Sequence, residues 1–324
     1  MSSPLPILFA GTPQVAVPAL ELLASDSEHF KVVAVLTRPD APQGRGRKLA
    51  PSPVKAAAVA LGIDVLESNP SDPDFPQTLQ ATGARCGAVV AYGRILKQPV
   101  LDALEGGWYN LHFSLLPQWR GAAPVQRALW SGEQITGATV FQLTKGMDEG
   151  PIVAQSTVRI GEHETSGELL ERLAQDGAHL LAASLEAVGE GRAVPQPQPQ
   201  GAYEIARKIT TEDAHVRFDQ PAFAVDRQIR ACTPEPGAWC QYHAGQDAQP
   251  VVLHILRAQP LSQADNAPGQ TLPVGHLLVG KHAVWVGTKT QPLELLEVKA
   301  AGKKAMKAAD WARGAHCEAG AYCD

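Results

Sequence analysis

Short apolar runs alternate with helix-like segments along the first 190 residues of the chain. The runs are typical of buried strands because they are brief and almost wholly apolar. They lie at 7–10, 32–36, 88–91, 109–112 and 138–143. Apolar residues at helical spacing follow the first run, and Pro13 suits the first turn of that helix. The alternation predicts an α/β fold with a Rossmann-like, mostly parallel sheet covered by helices.

A long amphipathic helix and a proline-rich stretch follow this first part. Thr165 and Glu168 have the spacing of a capping box, and apolar residues at helical spacing continue to Val188. Alternating Pro and Gln between Pro195 and Pro199 favour extended polyproline geometry, which predicts a semi-rigid spacer and not a packed element. We therefore expect a catalytic domain over 1–190, a Pro/Gln-rich linker over 191–208 and a second domain over 209–324.

Beyond the linker the apolar runs are short and are separated by Pro, Gly and Asn. One helix is expected near the start of this part, at 222–230. Strands are expected at 238–243, 251–258, 272–278, 283–287 and 293–298. Short strands at this spacing indicate a small β-barrel or β-sandwich.

The composition is typical of a folded protein with two domains. The chain has 324 residues, of which 44% are hydrophobic, and a net charge of -5. This length is sufficient for two packed cores. No apolar run approaches the roughly 20 residues that a membrane-spanning helix needs. The first 30 residues contain acidic side chains and no Arg, so we expect no targeting segment and a cytoplasmic location.

The sequence gives little support for a nucleotide or metal cofactor. Only Gly11 represents the dinucleotide-binding fingerprint, so NAD binding is not expected. The five cysteines form no Cys-x-x-Cys pair, which is typical of free thiols in a reducing compartment. Near the C-terminus, His316, Cys317 and Cys323 lack a fourth ligand and the spacing of a zinc site, so no metal is expected.

The densest chemical pattern in the chain begins at the end of the fourth apolar run. Asn110 and His112 are two residues apart in a predicted strand, so their side chains leave the same face. Pro117 cannot continue a central strand, and ligands of α/β sheets gather beyond the carboxyl ends of strands. Asp148 follows later, flanked by Gly146 and Gly150. Taken singly, a half-buried structural His and a turn-stabilising Asp are ordinary alternatives.

Two segments are basic although the whole chain is acidic. The first spans 37–55 and the second lies near the C-terminus, where Lys and Arg outnumber Asp310. The basic residues are Arg38, Arg45, Arg47, Lys48 and Lys55 in the first segment, and Lys299, Lys303, Lys304, Lys307 and Arg313 in the second. Such patches suit contacts with the phosphates of RNA, or they are simply solvated loops and a helix face.

Taken together and in order, these motifs resemble the formyltransferases that use 10-formyltetrahydrofolate. The family signature is an Asn-x-His pair, a Ser-Leu-Leu-Pro turn and a glycine-flanked Asp, here Asn110, His112, Ser114–Pro117 and Asp148. Within the family the chain resembles the members that formylate the methionine carried by initiator tRNA. Further matching segments are Phe9–Pro13, Gly44–Gly46, Pro51–Lys55, Ala91–Gly93, Trp119–Pro124 and Ala301–Met306. They span nearly the whole chain.

The resemblance implies an OB-like barrel for the second domain and a role for particular residues. It implies catalysis by Asn110, His112 and Asp148. It implies folate contacts from Ser114, Leu115, Leu116, Pro117, Tyr92, Gly93, Arg94, Ile95 and Leu96. It implies tRNA contacts from Arg38, Arg45, Arg47, Lys48, Lys208, Lys303 and Lys304. The partners implied are initiator methionyl-tRNA and 10-formyltetrahydrofolate as cosubstrate, with no tightly bound cofactor, and we expect a monomer.

In the implied reaction, the α-amino group of the methionyl ester attacks the formyl carbon. Asn110 would donate to the oxyanion. If pairing with Asp148 protonates His112, the imidazole would share that task, and Asp148 would relay the proton directly or through water. The chain departs from the family at Glu149, where Thr is usual, and at Gln118, where Arg or Lys is common. We expect Glu149 to point outward and Gln118 to weaken one phosphate contact.

Other functions are compatible with the same motifs. The amine acceptor could be an amino-sugar nucleotide or glycinamide ribonucleotide, although smaller formyltransferases of that kind generally lack the basic loop and this kind of barrel. A folate hydrolase would release formate without any acceptor. A non-catalytic RNA-binding protein would bind tRNA without transferring formyl groups.

Overall fold

The chain folds into two compact units, and neither unit is a continuous stretch of sequence. A computed structural model describes residues 3–43, 46, 48–245, 249–261, 272–315, 317 and 320–324. The first unit consists of Met1–Pro124, Ile135–Val158 and Leu170–Ala206. The second consists of Val125–Gln134, Arg159–Leu169 and Arg207–Asp324. The division into 1–190, 191–208 and 209–324 stays a prediction.

A mostly parallel sheet forms the centre of the first unit. The strands of this unit are β1 (Leu5–Gly11), β2 (Phe30–Leu36), β3 (Ala41–Gln43), β4 (Lys48–Ala50), β5 (Val65–Leu66), β6 (Cys86–Val90), β7 (Trp108–His112), β8 (Arg120–Gly121), β9 (Ile135–Gln142), β10 (Ile152–Arg159) and β11 (Ile205–Ala206). The sheet has the order β10-β9-β7-β6-β1-β2-β5. Neighbours from β7 to β5 are parallel, and β9 pairs antiparallel with β7. The predicted α/β class is confirmed.

Two small pairs of strands lie outside this sheet. β3 and β4 form an antiparallel hairpin, and β8 pairs in parallel with β11. The helices of the described chain are α1 (Val17–Ser25), α2 (Pro53–Ala60), α3 (Phe75–Ala81), α4 (Gln98–Leu101), α5 (Pro124–Ser131), α6 (Ser166–Gly189), α7 (Ala222–Cys232) and α8 (Ala308–Gly314). A 3₁₀ turn at Gln14–Ala16 precedes α1. No helix among the described residues is long and apolar enough to cross a membrane.

The predicted capping box begins α6. The backbone N–H of Thr165 donates to Oε2 of Glu168 at 2.9 Å, and the N–H of Glu168 donates to Oγ1 of Thr165 at 3.4 Å. These reciprocal bonds satisfy two backbone donors at the helix start, which is why the Thr-x-x-Glu spacing predicts this boundary.

The core of the first unit explains why its central strands are continuous apolar runs. β1 lies between β2 and β6, and residues on both of its faces are buried, as is usual when helices cover a parallel sheet. One core cluster contains Leu8, Ala10, Ala34, Leu36, Phe75, Leu79, Val89, Tyr92, Leu96, Val100, Leu101, Leu104 and Trp108. This packing holds the carboxyl ends of β1, β6 and β7 in fixed positions.

The second unit contains a nearly closed antiparallel sheet. Its strands are β12 (Trp239–His243), β13 (Val251–Pro260), β14 (Leu277–Val279), β15 (Val284–Val286), β16 (Leu293–Ala300), β17 (Met306–Lys307) and β18 (Tyr322–Cys323). They follow the order β14-β15-β16-β13-β12-β18, with β17 beside β16. A bridge between His276 and Tyr322 joins the two ends of this order, which confirms the predicted barrel-like sheet.

One predicted strand is longer than the observed one. The expected strand at 272–278 is limited to Leu277–Val279, with isolated bridges at Val274 and His276. Pro273 lacks a backbone donor, and Gly275 has a φ of 77°, so the residues before β14 cannot form a regular ladder.

The cysteines are free thiols, as predicted. Cys86, Cys232, Cys240 and Cys323 are buried, and Cys317 is half-buried. His316 lies outside the described residues. Within the part of the chain that is described, no three His, Cys, Asp or Glu side chains are grouped so that they could hold a metal ion.

Candidate active site

The site lies at the edge of the sheet where parallel strands end. β1, β6 and β7 are parallel neighbours in the part of the order β7-β6-β1, so their carboxyl ends share one edge. The hydroxyl of Thr12 donates to the carbonyl oxygen of Tyr92 at 2.9 Å and joins the loops that follow β1 and β6. His112 is the last residue of β7. This is where α/β sheets bind ligands.

His112 is buried and has a defined tautomer. Its side chain lies edge-on to the ring of Phe141, with centroids 6.4 Å apart. Its Nε2 lies 2.9 Å from the carbonyl oxygen of Trp119, which can only accept a hydrogen bond. We therefore assign the proton of the neutral ring to Nε2. Nδ1 then carries a lone pair and lies 3.9 Å from Oδ2 of Asp148.

Burial lowers the pKa of His112 below its ordinary value of 6.5. The charge of Asp148 and the bond to the carbonyl of Trp119 raise that pKa, but the loss of hydration is the largest effect. Burial therefore opposes the protonation of His112 on which a shared oxyanion role depends. The lowered pKa favours the neutral ring, and a proton that reaches Nδ1 would lie beside a carboxylate.

Asp148 is held in an unusual backbone conformation. Its φ is 53°, in the left-handed region that favours Gly and that Asp and Asn adopt more readily than most residues. Its Oδ2 accepts a hydrogen bond from the N–H of Gly121 at 2.8 Å. At Gly150, a Cβ would lie only 1.7 Å from the carbonyl oxygen of Gln142, so the loop requires glycine there. The hydrogen bond from Gly121 and the close approach at Gly150 together fix the direction of the carboxylate.

Asn110 precedes His112 by two residues on β7, so both side chains leave the strand on one face. Asn110 pairs in register with Phe141 of β9 and with Val89 of β6, and it is half-buried. Its carboxamide makes no hydrogen bond to another described side chain or backbone group. The amide is therefore available to a ligand. The structure brings His112 and Asp148 together, and the catalytic roles of all three residues stay proposals.

The turn Ser114–Pro117 is held by two neighbouring strands. Oγ1 of Thr139 donates to the carbonyl of Ser114 at 2.6 Å and accepts from the N–H of Leu116 at 3.1 Å. Nε2 of Gln155 donates to the carbonyl of Leu116 and to Oγ1 of Thr139, both at 2.9 Å. The hydroxyl of Ser114 donates to the carbonyl of Gln118 at 2.7 Å. The turn is thus rigid, and the Ser114 hydroxyl is used within it.

The other residues of the turn differ in exposure. Leu115 is half-buried, whereas Leu116 and Pro117 are buried, and the peptide bond between those two is cis. A Cβ at Gly137 would lie 2.7 Å from Cδ2 of Leu115, so Leu115 rests closely on β9. Of the four predicted folate contacts in this turn, Leu115 offers the most accessible side chain.

The loop Tyr92–Leu96 is anchored at both ends. Tyr92 and Leu96 belong to the core cluster, and burial raises the pKa of Tyr92, which Arg94 and Arg38 partly oppose. Gly93 has a φ of 81°, and Nη1 of Arg94 donates to the Asn69 carboxamide at 3.2 Å. Ile95 is 86% exposed. The middle of the loop therefore faces solvent as a mixed apolar and cationic surface.

The predicted tRNA contacts are exposed cations wherever the structure describes them. Arg45 and Arg47 lie outside the described residues. The described members Arg38, Lys48, Lys208, Lys303 and Lys304 are all exposed. Lys55, in the same basic segment, differs because its Nζ binds Asp40 at 2.6 Å and Glu67 at 3.0 Å. These ion pairs leave Lys55 less available to phosphate.

The proline-rich stretch is packed, contrary to the spacer that its composition predicts. The side chain of Gln198 is 7% exposed. Its Nε2 donates to the carbonyls of Asp148 and Gly150, and its Oε1 accepts from Arg120. Gln196 forms a backbone bridge with Ile152. Alternating Pro and Gln predict extended backbone, but they do not indicate which Gln is buried, so the contact was not found from sequence.

The same stretch also holds the segment after the Ser114–Pro117 turn. The N–H of Trp119 donates to the carbonyl of Glu204 at 3.0 Å, and β11 pairs with β8.

A cleft of about 410 Å³ lies beside these contacts within the first unit. It is lined by Arg120, Glu149, Pro151, Pro197, Gln198, Pro199, Gln200, Gly201 and Tyr203. The carbonyl of Trp119 contacts His112, and the N–H of Gly121 contacts Asp148. Both are backbone groups, so a pattern of side chains in the sequence could not predict these contacts.

The two departures from the family pattern have defined places. Glu149 points outward as expected, because its side chain is 57% exposed and its Oε1 lies 3.6 Å from Nη1 of Arg120. Oε1 of Gln118 accepts a hydrogen bond from the N–H of Glu204 at 3.1 Å. Gln118 therefore contributes to holding the linker stretch, a role that the family pattern does not suggest.

Comparisons with known proteins agree with this architecture. Residues 5–185 match the family described as formyl transferase, and residues 208–316 match its C-terminal domain. The chain is 68% identical over 321 residues to the methionyl-tRNA formyltransferase of Bifidobacterium adolescentis, covering 99% of this chain and 100% of that protein. It is 49% identical over 316 residues to the protein of that name from Streptomyces coelicolor, covering 97% and 98%.

Solved structures share the fold at low sequence identity. An N-formyltransferase from Helicobacter canadensis, in complex with folinic acid and dTDP-3-aminofucose, has a TM-score of 0.62 and 17% identity, covering 90% of this chain and 98% of that one. HypX from Aquifex aeolicus, in complex with tetrahydrofolic acid, has a TM-score of 0.63 and 16% identity, covering 97% and 48%. The matches to the two family models and the 68% identity to the Bifidobacterium adolescentis protein show that the chain belongs to the formyl transferase family, in the group of the methionyl-tRNA formyltransferases.

Proposed function

We propose that the chain transfers the formyl group of 10-formyltetrahydrofolate to the α-amino group of methionine esterified to initiator tRNA. This product supports translation initiation, which places the enzyme in the cytoplasm. It acts as a monomer with formyl-folate as cosubstrate and without a tightly bound cofactor. The observation that carries the choice of acceptor is the 68% identity, over 99% of the chain, to a protein named for this reaction.

The reaction needs a neutral amine and a stabilised oxyanion. The amine nitrogen forms a bond to the formyl carbon, and the carbonyl oxygen becomes negatively charged in the tetrahedral intermediate. Asn110 donates its side-chain N–H to that oxygen, a contact that typically contributes about 10² to 10³ in rate. The unpaired carboxamide at the end of β7 supports this role.

A proton must leave the amine as the new bond forms. In this proposal Nδ1 of His112 accepts it, because Nδ1 carries the lone pair while Nε2 donates to Trp119. The resulting imidazolium lies beside the carboxylate of Asp148, whose charge stabilises it. The bond between the formyl carbon and the folate nitrogen then breaks, and the proton passes to that nitrogen. Such general acid–base catalysis contributes about 10² to 10⁴ in rate.

Binding is assigned to the surfaces around this centre. The turn Ser114–Pro117 and the loop Tyr92–Leu96 contact the folate, with Leu115 and the exposed middle of the loop as the accessible parts. The predicted cations contact phosphates of the tRNA, where positive charge contributes affinity that falls with salt. These cations are Arg38, Arg45, Arg47, Lys48, Lys208, Lys303 and Lys304.

The decisive experiment mixes the protein with labelled formyl-folate and one acceptor at a time. We expect label on methionine carried by initiator tRNA and far less on methionine carried by elongator tRNA. Label on an amino-sugar nucleotide or glycinamide ribonucleotide would contradict the proposed acceptor. Release of formate without any acceptor would indicate a hydrolase, and tRNA binding without transfer would indicate an RNA-binding protein.

A further inference from the structure

The carboxamide of Gln198 uses all four of its hydrogen-bonding positions. Its Oε1 accepts from Nε and Nη2 of Arg120 at 3.0 and 2.6 Å. Its Nε2 donates to the carbonyl oxygens of Asp148 and Gly150 at 2.7 and 2.9 Å. A carboxamide has two acceptor positions and two donor hydrogens, so none is left over. A buried amide that is fully satisfied in this way holds the segments it joins in one arrangement.

The direction of this amide follows from its partners. The guanidinium of Arg120 can only donate, and the backbone carbonyls of Asp148 and Gly150 can only accept. Turning the amide over would place donors against donors and acceptors against acceptors. A carboxylate at the same position would keep the contact with Arg120 but would lose both donors to the loop that carries Asp148.

The loop needs such support because of its backbone. Asp148 has a φ of 53°, a conformation that even Asp adopts less readily than Gly does. Gly121, which donates to the Asp148 carboxylate at 2.8 Å, is the neighbour of Arg120 in β8. Gln198 therefore binds the segment that carries the carboxylate and also the segment that carries its hydrogen-bond donor.

We propose that Gln198 is a positioning residue, which keeps the carboxylate of Asp148 beside the imidazole of His112. The inference rests on the proposed function, in which those two groups share the transferred proton. Without Gln198 the backbone of Asp148 loses its partner, and the carboxylate moves relative to His112. A displacement of about 1 Å in a catalytic constellation can lower the rate on the order of 10²-fold.

Three single variants separate this role from general packing. Gln198→Ala removes every contact of the carboxamide. Gln198→Glu keeps the size of the side chain and an oxygen for Arg120, but it cannot donate to the two carbonyls. Gln196→Ala is the matched control, because Gln196 lies in the same Pro-Gln stretch and, among the described residues, its exposed side chain donates only to the carbonyl of Val194, at 3.1 Å.

The expected result is a loss of turnover without a loss of substrate binding. In Gln198→Ala and Gln198→Glu, kcat with methionyl-tRNA falls about 10- to 100-fold, whereas KM for formyl-folate and for tRNA stays unchanged. Gln196→Ala retains wild-type kcat. Wild-type kcat in Gln198→Glu, or a loss confined to KM, would overturn the proposal.

A double-mutant cycle with Asp148→Asn tests whether Gln198 acts through Asp148. Asn tolerates the same φ, so this variant removes the charge and keeps the backbone. Single-turnover rates should show that Gln198→Ala causes no further loss in the Asp148→Asn background, since residues that act as one unit are not additive. Gln198→Glu replaces Gln198→Ala in the cycle if the alanine variant does not fold.

These measurements distinguish a failure of the positioning role of Gln198 from a failure of the proposal on which it rests. If Gln198→Ala lowers the single-turnover rate by the same factor in the wild-type and Asp148→Asn backgrounds, the positioning role is overturned while Asp148 remains catalytic. Near-normal turnover of Asp148→Asn by itself would contradict the catalytic role of Asp148, and with it this inference, whereas no transfer to methionyl-tRNA by the unaltered chain would contradict the proposed function.

Discussion

Nε2 of His112 lies 2.9 Å from the carbonyl oxygen of Trp119, and this contact determines which nitrogen of the ring can accept a proton. The carbonyl is itself fixed, because Trp119 has a φ of 63° and its N–H donates to the carbonyl of Glu204 at 3.0 Å. The predicted linker, 191–208, therefore supports the imidazole through Glu204, which holds Trp119. It supports the segment of Asp148 through Gln198.

Replacing His112 with Ala should separate catalysis from binding. The variant loses the proton acceptor, so kcat is expected to fall by about 10² to 10⁴. His112 is buried and offers no exposed charge to a phosphate, so tRNA affinity should be nearly unchanged. Rates under saturating substrate and tRNA titrations measure the two quantities. Turnover close to that of the unaltered chain would refute the role of His112.

Besides the acid limb from the substrate amine, which must be neutral to attack, a second limb in the pH profile of kcat/KM is expected below pH 6.5. Burial lowers the pKa of His112 from 6.5, so the neutral ring persists below that pH and is lost only when the pH falls through the lowered pKa. Asp148→Asn removes a charge that raises this pKa, so the limb should move further toward acid. The substrate amine titrates alike with both proteins. A shift toward higher pH in the variant would contradict the assignment.

Thr139→Val should loosen the turn Ser114–Pro117. The hydroxyl of Thr139 bonds to Ser114, Leu116 and Gln155, and Val leaves those groups unsatisfied at a cost of about 1 to 3 kcal/mol. Unfolding free energy should fall by that amount, and KM for formyl-folate should rise. Thr136→Val is the control on the same strand, because the Thr136 hydroxyl is buried with no partner among the described residues. Equal effects of the two substitutions would disprove this account.

Gly150→Ala should displace the loop that carries Asp148. The added Cβ would lie 1.7 Å from the carbonyl oxygen of Gln142, so the backbone must shift, and overpacking of this kind costs about 1 to 3 kcal/mol. Both kcat and the unfolding free energy are expected to fall. Gly314→Ala is the control, since a Cβ there meets nothing within 4 Å and the φ is ordinary. Unchanged turnover in Gly150→Ala would show that the loop adapts freely.

Arg45→Ala should weaken tRNA binding in a salt-dependent way. The resemblance assigns Arg45 to a phosphate contact, and losing one such contact lowers the slope of log affinity against log salt by about 1. Lys31→Ala is the control, because Lys31 is exposed near the start of β2, at the opposite end of the strand from the site. Binding isotherms at several salt concentrations measure the slope. Identical slopes for Arg45→Ala and the unaltered chain would indicate a solvated loop.

Local features of the fold were predictable because their causes lie within a few residues. The Thr165–Glu168 box begins α6 through bonds between those two residues. The alternation of β7 places Asn110 and His112 on one face whatever packs around them. The predicted strand at 272–278 was too long because an apolar run by itself does not reveal the effect of Pro273 and the positive φ of Gly275.

The sequence by itself determined the α/β class, the position of the Asn-x-His pair at a strand end, and through its motifs the resemblance to formyltransferases. Only the tertiary structure decided that Asp148 lies beside His112, that burial lowers the pKa of His112, and that Gln198 is buried between Arg120 and the loop. The physical reason is the separation along the sequence of the residues that interact. Periodicity and capping act over a few residues, whereas burial and the pairing of distant backbone groups exist only after the chain has folded.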